Sequence, residues 1–179
     1  HNPGIYIGDN DIIAYCNTNS VDGIASGNHG GEDLLLMHLD NNLNFQWSKC
    51  IGGSGDESIS TFTRAGSGEI YLGGSTNSTD GDIPGSGSYT DGFVVKLSST
   101  GALIWSKLIT GTYYDQVSQV FVLANGNLGV TGWYNSGEII DVSRPVQHNY
   151  EEGMLIVMNS TGEVLWSKAL RLAIGCPHA

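Results

Sequence analysis

Two Asp-bearing loops offer the first chemistry in this sequence. Thr18-Asn19-Ser20-Val21-Asp22-Gly23 and Thr76-Asn77-Ser78-Thr79-Asp80-Gly81-Asp82 share part of the alternate spacing with which an EF-type loop surrounds calcium. Asp22, Asp80 and Asp82 are the carboxylates such an ion would take. Thr and Ser stand where the first carboxylate or amide ligands belong, and hydroxyls bind Ca²⁺ poorly. The expected role is therefore Asx and Ser/Thr turns that satisfy loop backbone, with calcium the one cofactor weighed against none. The carboxylate pairs Asp80/Asp82 and Glu151-Glu152 lie in polar stretches, without an apolar pocket to raise a pKa for acid catalysis. Among His1, His29, His38, His148 and His178, His38 stands where a sister segment carries Lys96, so it reads as a strand residue and not a ligand. No Gly-x-Ser-x-Gly elbow, HExxH or phosphate loop occurs. Cys16, Cys50 and Cys176 are an odd set with no CxxC pair, which fits neither a disulfide framework nor a zinc site. No residue is assigned to catalysis or to an organic cofactor, and an enzyme is not expected.

The elements that must position these loops are repeated. Displaced by 58 residues, Asn17–Gly23 falls on Ser75–Gly81, Asp33–Leu39 on Asp91–Leu97, and Trp47-Ser48-Lys49 on Trp105-Ser106-Lys107. A displacement of 61 carries Thr100-Gly101 and that triplet onto Thr161-Gly162 and Trp166-Ser167-Lys168. Three of the four Trp thus share one triplet. Within a repeat the coarse reading is four strands: Leu34 to Leu39, Asn44 to Cys50, Ser58 to Arg64, and Glu69 to Leu72 closed by Gly73-Gly74. Leu34-Leu35-Leu36-Met37 and Met154–Met158 are continuous apolar runs, as strands covered on both faces require. No segment has capped 3.6-residue periodicity, so the chain is all-β.

Four antiparallel strands repeating every ~40–60 residues are the pattern of β-propeller blades. Residues 1–32 supply the second half of a blade, 33–90 and 91–152 a full blade each, and 153–179 a first half. That is about twelve strands, too few for a ring of roughly 4–8 blades, so the expectation is a partial propeller. It is a segment of a longer chain or, as the alternative, a unit completed by other copies. Trp47, Trp105 and Trp166 are expected between adjacent sheets in equivalent places, with Trp133 at a surface near a loop.

The run Ser20-Val21-Asp22-Gly23, Ser26–Gly31, Asp33–Leu36 and Trp47–Asp56, followed by Tyr71–Ser78 and Asp91–Leu97, resembles the bacterial SBBP-like β-propeller repeats. The resemblance covers about residues 10–168 and departs from the pattern in Asn135–Glu152 and Ala169–Ala179. It implies a secreted or cell-surface bacterial protein, and surface scaffolding or adhesion as its work. Thr100-Gly101-x-x-x-Trp105 and Thr161-Gly162-x-x-x-Trp166 are also similar to part of the tryptophan-docking repeat of quinoprotein propellers, although Val95 and Leu97 replace its upstream Ala and Asp.

Composition narrows the classes further. Gly is 26 of 179 residues, about twice the usual share, which suits many tight turns and no packed helices. The formal charge of −11 argues against nucleic acid or an anionic membrane as partner. No apolar run is long enough to span a bilayer as a helix. The functional expectation is a non-enzymatic extracellular binding or scaffold module for a protein or glycan ligand, joined to the rest of a longer chain or to other subunits. The alternative is the propeller domain of a quinoprotein-like or glycan-active enzyme.

Overall fold

A computed structural model describes residues 3–9, 11–85, 89–111, 113–134 and 152–170. His1, His148, His178, Glu151 and Cys176, most of the Asn135–Glu152 segment and the C-terminal residues from 171 lie outside that set. The described chain is all-β: twelve strands in three four-stranded antiparallel sheets, with one short 3₁₀ turn at Gly23–Ala25.

The sheets follow chain order. Sheet 1 contains β1 (Gly4–Ile7), β2 (Asp11–Thr18), β3 (Asp33–Asp40) and β4 (Phe45–Ile51). Sheet 2 contains β5 (Glu57–Arg64), β6 (Ile70–Thr76), β7 (Asp91–Leu97) and β8 (Leu103–Ile109). Sheet 3 contains β9 (Gln116–Val122), β10 (Leu128–Tyr134), β11 (Glu152–Met158) and β12 (Val164–Leu170). Each sheet is a plain meander, so its short hairpin turns fall at one end and its longer loops, with the links between sheets, at the other.

Sheet 2 is covered on both faces, and its side-chain alternation shows how. Ile70 and Leu72 of β6 with Phe93, Val95 and Leu97 of β7 meet Ile13, Leu34, Leu36 and Ile51 of sheet 1. Tyr71 and Val94 point the other way, onto Val117, Val120, Leu128, Met154 and Ile156 of sheet 3. Every residue of β6 and β7 is buried. A run such as Phe93-Val94-Val95 is therefore not an amphipathic strand but one that feeds two cores at once.

Two sequence expectations change here. The unit 33–90 does not coincide with a sheet: β3 and β4 pair with β1 and β2, while β5 and β6 begin the next sheet. A cyclic repeat looks the same whichever strand is counted first, so self-similarity cannot set that phase. Gly73-Gly74 does not close a strand either; both glycines lie inside β6 and pair with Val94 and Phe93. A Cβ at Gly73 would stand 2.6 Å from Val117 Cγ1, so glycine at this point lets sheet 3 approach sheet 2.

The fourth strand of every sheet carries the same bulge. Gln46, Ile104 and Leu165 are the extra residues, placed just before Trp47, Trp105 and Trp166. A bulge turns the strand locally and re-aims the next side chain. Trp47 and Trp105 accordingly lean onto the following sheet and are half-buried. Trp166 does not meet the expectation of burial: it is 48% exposed, because no described sheet follows it. Trp133, near the end of β10, is 54% exposed.

Candidate functional site at the long-loop end

The long-loop end gathers the acidic loops, and side chains bind those loops to one another. Ser54 N–H donates to Asp80 Oδ1 at 2.7 Å, Gly55 N–H to Ser78 Oγ at 2.9 Å, and Asp56 N–H to Asn77 Oδ1 at 2.6 Å. Asp56 in turn accepts from Glu32 N–H at 2.9 Å. The link between sheets 1 and 2 is thereby clamped between the loops that precede β3 and β7. Asp80 is exposed, and the Ser54 N–H bond holds its carboxyl below the ordinary value.

Beneath this surface lies a buried acidic pair. Asp33 and Glu57 are 0% and 1% exposed. Asp33 Oδ2 accepts from the backbone N–H of His29 at 2.9 Å and faces His29 Nδ1 at 2.8 Å, while its Oδ1 has no hydrogen-bond partner among the described residues. Glu57 Oε1 accepts from the hydroxyls of Thr76 and Ser78, and its Oε2 accepts from Gly53 N–H at 2.9 Å. The backbone of Gly52 lies against both carboxylates: a Cβ there would collide with Glu57 Oε2 and sit 2.5 Å from Asp33 Oδ1. Burial pushes the Glu57 carboxyl up, the nearby Asp33 charge adds to it, and the three donated hydrogen bonds oppose it. Asp91 and Asp115, displaced by 58 residues, are buried at the next junction, Asp91 opening β7 and Asp115 just preceding β9.

The residues predicted from sequence are divided among separate places. Asp22 Oδ1 accepts from Ser20 Oγ at 2.9 Å within its own loop. Asp80 holds the Ser54 backbone, and Asp82 Oδ2 comes to 3.9 Å from His29 Nε2. Among the described residues no three His, Cys, Asp or Glu side chains are grouped to hold a metal ion. His38 lies at the opposite end of its sheet, with Nε2 3.1 Å from Asp11 Oδ2. Among the described residues Cys16 and Cys50 form no disulfide, and burial raises the Cys50 thiol.

Sequence reasoning missed two features. The first is the Asp33–Glu57 pair, whose signal was an acidic residue opening β3, β5 and β7. The second is an exposed aromatic cluster: Tyr89 stands 5.3 Å from Tyr113 and 5.5 Å from Tyr114, ring centre to ring centre. These rings are 40%, 42% and 63% exposed. They come from the loop before β7 and the link before β9, hydrogen-bonded to each other by Asp115 N–H to Thr90 O at 2.8 Å. No segment between them in sequence marks them as neighbours. At the turn end, a groove of about 380 Å³ between sheets 2 and 3 is lined by Glu69, Tyr71, Asn125, Asn127 and Ser160.

No known protein-family model matches this chain, and no curated protein sequence matches it.

Proposed function

We propose that the three sheets are successive blades of a β-propeller and that the chain is a non-enzymatic binding or scaffold module of a secreted or cell-surface protein. Its ligand, a protein or a glycan, docks at the long-loop end. The observation that carries this reading is the exposed cluster of Tyr89, Tyr113 and Tyr114 on loops tied to a rigid double-faced core. Tyrosine brings large contact area and a polar tip with few rotatable bonds, which is why it is enriched in binding surfaces. Loops carried on a scaffold are where such surfaces form. The blade reading is supported by four-stranded meanders stacked face to face in chain order and by the resemblance carried by Asp22-Gly23, Asp33–Leu36 and Trp47–Asp56.

Arrays of glycans and extracellular matrix proteins, run beside hydrolase and dehydrogenase substrates, test the reading. A ligand is expected whose affinity drops at least about tenfold in a Tyr89→Ala/Tyr114→Ala variant, with the thermal unfolding curve unchanged. Turnover that depends on an Asp or Glu of this chain would overturn it in favour of an enzyme.

A further inference from the structure

The Trp-Ser-Lys triplet is a clasp between sheets. In an extended strand the first and third residues share a face, and here that face grips a turn of the following sheet. A Cβ added at Gly162, in the turn between β11 and β12, would lie 2.9 Å from Lys107 Cγ and 3.3 Å from Trp105 Cε2. The Trp105 indole N–H donates to Ser160 O in that same turn at 3.2 Å. One junction earlier, a Cβ at Gly101, between β7 and β8, would lie 2.9 Å from Trp47 Cζ3. Both glycines have left-handed φ, +80° and +82°. Both turns close alike, Gly101 N–H on Ser98 O and Gly162 N–H on Asn159 O.

The third clasp, Trp166 and Lys168, grips nothing among the described residues. Around it the outer face of sheet 3 is apolar and open: Leu165, Trp166 and Leu170 are 55%, 48% and 49% exposed. Leu155 stands where Leu36 and Val94 stand in sheets 1 and 2; those two are completely buried and Leu155 is half-buried. The face is thus an uncovered continuation of two junctions whose covering is visible.

Sheet 1 has the matching turn, between β3 and β4, closed by Leu43 N–H on Asp40 O at 2.9 Å. Its left-handed position is filled not by glycine but by Leu43, at φ 63° and 67% exposed. An incoming Trp would meet a full isobutyl group where Gly101 and Gly162 present only hydrogen.

We propose that Trp166 and Lys168 dock a further four-stranded sheet of this same repeat, one whose third-to-fourth-strand turn carries glycine at left-handed φ. A second copy of this chain is refused, because Leu43 occupies the receiving position. The stack is therefore directional: it extends from sheet 3 onto a glycine-bearing sheet and does not close on itself through identical copies. This inference rests on the sheet junctions alone and stands whether or not the Tyr cluster binds a ligand.

Sedimentation velocity on the full chain tests it, with Leu43→Gly as the probe that opens the receiving turn. Wild type is expected to remain monomeric while L43G self-associates, its association constant raised at least about tenfold. Adding W166A to L43G should restore the monomer, and Trp fluorescence should shift to the blue on association only where Trp166 is present. Two results overturn the proposal. One is wild type self-associating through Trp166 as strongly as L43G, which makes a second copy the occupant. The other is L43G, shown folded by circular dichroism, remaining monomeric at concentrations where the double variant does.

Discussion

At the scale of single residues, the Asp33–Glu57 pair is the most consequential chemistry in the molecule. Glu57 is raised above its ordinary 4.5 by burial, against the hydrogen bonds from Ser78, Thr76 and Gly53, with the Asp33 charge the smallest addition. A carboxyl raised in the folded state binds its proton more tightly there than in the unfolded chain. Its contribution to stability is thus fully present below 4.5 and lost as pH rises through the folded value. The melting temperature should fall across that window, and Glu57→Gln should flatten the fall. Asp33→Asn is the sharper probe. Its carbonyl can keep accepting from the His29 backbone N–H, while its amide replaces the unpartnered Oδ1 and can donate toward Glu57. Removing the like charge and supplying a donor should stabilise the fold at neutral pH by about 1–2 kcal/mol. Urea unfolding at acid and neutral pH checks both variants; an Asp33→Asn protein weaker than wild type at neutral pH would refute the paired-acid account.

At the scale of elements, three identical clasps in different surroundings make an internal control. Trp105 packs on the β11–β12 turn, donates to Ser160 O and leans toward Tyr71 at 6.2 Å between ring centres. Truncating it removes half-buried aromatic area and one hydrogen bond, so Trp105→Ala should cost about 2–3 kcal/mol. Trp166→Ala, from the same strand position on an open face, should change stability by no more than about 0.5 kcal/mol. Chemical denaturation of the two variants side by side measures the difference, and equal losses would mean that the sheet junctions are not what the triplet serves.

At the scale of the whole molecule, stability is graded along the stack. Among the described residues the main contacts between sheets join neighbours in sequence, so the ensemble is expected to behave as a short repeat array in which sheet energies and junction energies add. Sheet 2 shares a core with each neighbour; sheets 1 and 3 share one each with sheet 2, and sheet 1 adds only the small cluster of Ala25, Leu35 and Cys50. Amide exchange should therefore be slowest in β6 and β7 and fastest in β1 and β12. Protection that is uniform across all three sheets would indicate a single cooperative unit instead.

Much of this architecture was legible from residue order alone, because it is written locally. The continuous apolar runs Leu34–Met37 and Met154–Met158 and the 58-residue echo of Trp-Ser-Lys announce strands, and Gly101 and Gly162 mark turns that need left-handed φ. Such signals lie within a few residues of the feature they specify, and so survive without a fold. Contacts between sheets do not. Which four strands share a ladder depends on hydrogen-bond partners, and every phase of a cyclic repeat offers the same pattern. Asp33 and Glu57 come from different sheets, while Tyr89 and Tyr113 come from the loop before β7 and the link before β9, and only the packed arrangement of the strands brings each pair together. Trp47, Trp105 and Trp166 are equivalent by type and spacing, yet the first two are half-buried and the third is open. Burial belongs to what stands opposite a side chain, and that is decided only when the sheets are packed.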